Sequence, residues 1–183
     1  MQLHIKRTSH KSLGLFLAQN YLQILPRRHT FAFMLGCTQP DMNPTTYLKG
    51  SLRCKWLHGH NWGNANRYMA RLSRRLERRP RLHLWDYYAM GKLIHYTVDA
   101  FTSSHNDRFP DQLQAHRQYE NQLQAYFLEY LKQHAPANPP TSGTVMDAIR
   151  AYHKEYIAVP TDIRRDSRYC VLVTSMIVCM LLA

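Results

Sequence analysis

His95 and Asp99 stand four residues apart, and so do His116 and Glu120. On a helix this spacing puts an imidazole and a carboxylate on one face, a turn apart, able to converge on a single cation. In a chain with 11 His and 12 acidic residues among 183 positions, two such pairs are only a modest excess over chance. Their surroundings say more. Leu113, His116, Glu120, Leu123, Phe127 and Tyr130 fall on one helical stripe, so this pair faces inward. A carboxylate facing a core is costly unless something cationic meets it. Asp99 lies in the most apolar helical stretch of the chain. The partner of each acid is either a metal ion or one of the many arginines, and periodicity leaves both open. His105 adds a third donor within eleven residues of His95, where the helix passes into its C-terminal loop. A helix, loop and helix with five N and O donors can bind more than one hard or borderline ion.

Helices must position these residues. The pattern predicts a first helix over about 12–25, stopped by Pro26, with Leu13, Phe16, Leu17, Tyr21 and Ile24 on its core face. A loop rich in turn formers is expected over 36–50, including Gln39-Pro40-Asp41 and Asn43-Pro44. A second loop at 59–63 leads into a helix over about 64–79 that ends at Pro80. Arg67, Arg71, Arg74, Arg75 and Arg78 lie along one side of that helix, and a solvated charged face is as good a reading of them as a phosphate-binding surface. The helix over about 85–101 is apolar on most sides, which marks a central element. A long amphipathic helix follows over about 111–134, and Pro136, Pro139 and Pro140 form a linker. Thr144 and Asp147 resemble a capping box for a helix to about 157, and Pro160 and Thr161 open the last helix. No run of alternating strands is evident. The expected fold is all-α, a single compact multi-helix bundle around a buried metal cluster, with residues 1–183 forming one domain.

Bulk properties narrow the class. Apolar residues make up 45% of the chain, which excludes a disordered protein. The net charge is +12, from 24 Lys and Arg against 12 Asp and Glu, and favours an anionic partner without choosing one. Cys37, Cys54, Cys170 and Cys179 form no CxxC pair, so a cysteine zinc site is not expected and nothing demands a disulfide. The run Leu13 to Ala18 follows Lys6, Arg7 and Lys11, but it is short and lacks a cleavage pattern. The apolar tail from Cys170 to Ala183 has 14 residues, short for a membrane span. A cytoplasmic location and a buried last helix are expected. Asp162, Arg164, Arg165, Asp166 and Arg168 give that helix only a polar start. Trp56, Trp62 and Trp85 are expected as packing anchors, and Cys37 and Cys54 as small core residues.

The pattern His-x3-Asp-x5-His followed by His-x3-Glu, at His95, Asp99, His105, His116 and Glu120, resembles the metal-binding core of bacterial zinc-dependent phospholipase C. The single-strand-specific zinc nucleases share a related core. Thr8-Ser9-His10, the stretch from Gly36 to Pro40-Asp41, and Leu57-His58-Gly59-His60-Asn61 resemble further elements in the same order, so the likeness spans His10 to Leu131. The resemblance implies that Asp41, His60, His95 and Asp99 hold one zinc, and that His105, His116 and Glu120 hold a second. It implies a third at His10 and the chain's own amino terminus, with Asp99 bridging. The cofactor is thus zinc, two or three ions. Relatives begin with a Trp that ligates zinc, whereas this chain begins with Met1, nine residues before His10, and His4 is another candidate. The interval from Asp41 to His60 is long and leaves His58 as a rival ligand.

The implied reaction is phosphodiester hydrolysis, with Asp41 as the group that accepts a proton from water. Phospholipid is the first substrate class and nucleic acid the second. Peripheral membrane contact is compatible with the basic surface. A catalytically inactive basic protein that uses metal only structurally and binds an anionic partner is the competing class.

Overall fold

A computed structural model describes residues 4–43, 45–46, 60–106, 113–135, 143–160 and 162–183. These form seven α-helices: α1 (His4–Tyr21), α2 (Arg27–Met42), α3 (Trp62–Glu77), α4 (Leu84–Ala100), α5 (Leu113–Gln133), α6 (Val145–Ala158) and α7 (Ile163–Leu182). A short 3-10 turn, Ser103–His105, follows α4. The described residues contain no strand, and the helices pack as a compact bundle, as the sequence pattern predicts.

Helix α4 is the axis of the bundle. It is buried on nearly every side, with Met90, Leu93, Ile94 and Tyr96 almost wholly inaccessible. α2 runs alongside it in the same direction, the pairing advancing from Gly36 beside Gly91 to Asp41 beside His95. A Cβ on Gly36 would stand 2.2 Å from the Tyr88 carbonyl, and one on Gly91 2.1 Å from the Phe33 carbonyl. Two bare Cα atoms therefore let the backbones touch, which no other residue permits here. α1 runs antiparallel to α2, with Gly14 against Met34 and Cys37, and α3 runs antiparallel to α4. Arg75 Nη2 reaches Asp86 Oδ1 at 2.9 Å and joins the arginine-rich helix to the start of α4. The remaining arginines of that face, Arg67, Arg71, Arg74 and Arg78, are exposed. α7 buries Val171, Val173, Met176, Ile177 and Val178, so the apolar tail is a core helix. Among the described residues no helix is long and apolar enough to cross a membrane. Thr144 caps α6 by accepting from the Asp147 N–H at 3.2 Å, as expected.

Four local expectations are corrected. α2 occupies 27–42, and its last turns take in Gly36 and Pro40, which read as loop formers. Pro40 near the helix end costs only one helical hydrogen bond, and Gly36 is required by the contact with α4. α1 starts at His4 and stops at Tyr21, so Ile24 lies past its end and is 96% exposed rather than on a core face. Trp85 is 68% exposed and only edges against Tyr88, with centroids 6.2 Å apart, whereas half-buried Trp62 stacks on His153 with centroids 3.9 Å apart. Asp166 is 0% exposed, although it sits among the residues read as a polar start to α7. Trp56, Cys54, His58 and the amino terminus lie outside the described residues.

Candidate metal centre

Four helices and two connecting segments deliver the candidate donors to one place. His10 comes from α1 and Asp41 from the last turn of α2. His60 precedes α3, His95 and Asp99 stand a turn apart on α4, His105 closes the 3-10 turn, and Glu120 projects from α5. His10, Asp41, His60, His95, Asp99 and His105 are all buried, and Glu120 is largely so. His116 belongs to α5, but its side chain is outside those described.

Asp99 is the hub. Its Oδ2 lies 2.7 Å from His60 Nδ1 and 3.3 Å from His95 Nε2. Its Oδ1 lies 3.2 Å from His10 Nε2 and 3.8 Å from His105 Nε2. His95 Nε2 is 3.2 Å from His60 Nδ1 and 3.6 Å from Asp41 Oδ1, which is itself 4.0 Å from His60 Nδ1. Zinc bound at 2.0–2.1 Å in a tetrahedron sets its ligand atoms about 3.3 Å apart. These separations bracket that value. A second group continues from the same carboxylate, with His105 Nε2 3.6 Å from Glu120 Oε1.

Hydrogen bonding on the far side of each ring decides what faces inward. His95 Nδ1 lies 2.9 Å from the Cys37 carbonyl, which can only accept, so the N–H is there and the Nε2 lone pair points at the carboxylates. The single hydroxyl hydrogen of Thr46 goes to the carbonyl of Pro40 or Asn43, at 2.7 and 2.6 Å. Its oxygen therefore receives His60 Nε2–H at 3.2 Å and leaves Nδ1 as the inward lone pair. Asp41 is 1% exposed, and neither of its carboxylate oxygens receives a hydrogen bond among the described residues. His95 Nε2, His60 Nδ1 and the carboxylate oxygens of Asp41 and Asp99 are then all acceptors, and such a gathering calls for a cation or a proton between them. No Arg or Lys lies within 4 Å of Asp41 or Asp99 among the described residues; histidines alone surround them. Among the described residues, then, histidines and not arginines meet Asp99. The donor set fits zinc.

The ionisation states of His60 and Asp99 agree, while at His95 a proton competes with a cation for the inward nitrogen. Burial pushes His60 down to about 4, against the pull of Asp99, and keeps the ring neutral as a ligand must be. Burial also acts to raise Asp99, but His95, His105 and His10 outweigh it and hold the carboxyl well below its usual range. For His95, burial is outweighed by Asp99 and Asp41, and the ring is raised. The cavity beside Asp99 has a volume of about 40 Å³, enough for small species such as water. His10, Asp99, His105 and Glu120 form one wall of it, and Leu123 and Phe127 another.

A family model described as zinc-dependent phospholipase C matches residues 9–161. The chain belongs to that family. No curated protein and no solved structure matches it. Membership in the zinc-dependent phospholipase C family makes the chain a zinc-dependent, phospholipase-like hydrolase in class, and the match covers every donor from His10 to Glu120. Thr46 and the Cys37 carbonyl, which orient two rings, carry no mark in the sequence. A small polar residue on a loop and a main-chain atom look like any other. Replacing Thr46 by Val, which keeps the shape and removes the oxygen, is expected to weaken zinc binding by about 10- to 100-fold in a chelator competition titration. Unchanged affinity would take Thr46 out of the site.

Proposed function

We propose that the chain, acting as one domain, hydrolyses a phosphodiester of the phospholipid type with zinc held by its buried histidines and carboxylates. The carrying observation is the buried Asp41 carboxylate, which has no hydrogen-bond donor of its own among the described residues and is ringed by imidazole nitrogens. His60, His95, Asp99 and Asp41 would hold one ion; His105, His116 and Glu120 a second; His10 and Asp99 a third, together with the amino terminus. Bound zinc supplies Lewis acidity, making water acidic enough to react near neutral pH and offsetting charge that develops on a phosphoryl group. Asp41 Oδ2, turned toward His10 at 3.9 Å, takes the proton of the attacking water. The water oxygen forms the new bond to phosphorus, the ester oxygen leaves as an alcohol, and the released proton goes to it. The basic surface attracts the anionic substrate. The family match favours phospholipid and lends no support to nucleic acid.

Dialysis against a strong chelator is expected to reduce hydrolysis of a short-chain phosphatidylcholine to below about a hundredth, and added zinc to restore it. Full activity in the chelator would overturn the proposal. Cleavage of single-stranded DNA with no action on phosphatidylcholine would replace the substrate class.

A further inference from the structure

Asp166 lies beyond the segment matched by the family model, yet it is tied to the site from two sides. Its Oδ2 accepts the Ser103 backbone N–H at 2.8 Å and the Tyr119 hydroxyl at 2.5 Å. Its Oδ1 accepts the Tyr156 hydroxyl at 2.6 Å and the Ser103 hydroxyl at 3.3 Å. Ser103 opens the 3-10 turn that His105 closes, and Tyr119 directly precedes Glu120.

One carboxylate thus holds the two segments that bring His105 and Glu120 within 3.6 Å of each other. We infer that Asp166 is a positioning residue for the zinc donors His105 and Glu120. The inference rests on the metal reading above. The physical reason is leverage. Successive helical residues are turned by about 100°, so pinning Tyr119 fixes the rotation of α5 about its axis and hence the direction of Glu120. Ser103 is fixed through its backbone, so the turn cannot slide along α4. The other end of the turn is also held: Asn106 Nδ2 donates to the carbonyls of Ala100 and Thr102 at 3.1 and 2.9 Å, and its Oδ1 meets His153 Nε2 at 3.2 Å. Asp166 is the point where turn and α5 share an anchor. Tyr156, on α6, meets the same carboxylate but carries no donor.

That asymmetry supplies the test. Asp166→Asn, Tyr119→Phe and Tyr156→Phe are each titrated with a zinc chelator, and each is loaded with cobalt(II) for its visible absorption spectrum. Asp166→Asn and Tyr119→Phe are expected to release one metal equivalent about tenfold or more too easily and to shift the cobalt bands. Tyr156→Phe loses an equivalent hydroxyl and is expected to change thermal stability while holding every ion as tightly as the wild type. If Asp166→Asn does not fold, the two tyrosine variants carry the comparison alone. Equal release from both tyrosine variants, or from neither, overturns the inference while leaving the zinc centre intact. A wild-type protein that binds no zinc overturns the metal reading and this inference with it.

Discussion

Asp99→Asn is expected to lower phosphodiester hydrolysis by on the order of 10⁴-fold and to strip zinc from the purified protein, as elemental analysis would show. The reason is position. Asp99 presents one oxygen to His60 and His95 and the other to His10 and His105, so four imidazoles converge on it. Asparagine has nearly the same shape but no charge, and its amide N–H groups would face imidazole lone pairs or a cation where an acceptor is needed. Burial acts to raise Asp99, but His95, His105 and His10 outweigh it and hold the carboxyl well below the ordinary carboxylate range, so the native residue is ionised at neutral pH. Zinc binding also stabilises the folded state, so the variant is expected to melt earlier and to gain nothing when zinc is added. An Asn variant with full zinc content and activity within about tenfold of wild type would contradict the assignment of Asp99 to the centre.

Gly91→Ala is expected to destabilise the fold by about 3 kcal/mol or more, although alanine is the better helix former. Intrinsic propensity would favour the substitution by about 1 kcal/mol. Sterics decide the sign. The added Cβ would stand 2.1 Å from the Phe33 carbonyl, 2.8 Å from Cys37 N and 2.9 Å from Gly36 Cα. These are backbone atoms and cannot swing aside, so α2 must lift from α4. A chain of this size loses about 2–4 °C in Tm for each kcal/mol, so a drop of roughly 10 °C is expected in a thermal melt. Lifting α2 also draws the Cys37 carbonyl away from His95 Nδ1, so weaker zinc binding should accompany the lower Tm. Gly63 is the control, because a Cβ there meets nothing within 4 Å. Gly63→Ala should leave the Tm unchanged or higher. Equal melting of the two variants would refute the close-packed seam.

What could be read from the sequence depended on how local each signal was. The meeting of His95 with Asp99 and the inward direction of Glu120 were legible because helix periodicity ties spacing to a direction in space, whereas His105 was marked only by its nearness in the chain. The central helix and the buried tail were legible from apolar density alone. His10, Asp41 and His60 were different. Each comes from a separate element, nothing beside them in the chain marks them as donors, and only the family likeness brought them forward. α2 was hidden because Gly36 and Pro40 punctuate most chains, whereas here one serves a backbone contact and the other sits where a helix tolerates it. Asp166 was hidden by its neighbours. Arg164, Arg165 and Arg168 suggest a solvated turn, and only tertiary packing shows that the acid between them turns inward to two tyrosines.

The grip on His95 by the main-chain oxygen of residue 37 has a genetic consequence. Every amino acid owns that oxygen, so the codon at 37 can drift among small residues while the imidazole keeps its aim. A grip made by a side chain would have exposed the ring to a single nucleotide change; here the orientation is inherited from the path of a helix.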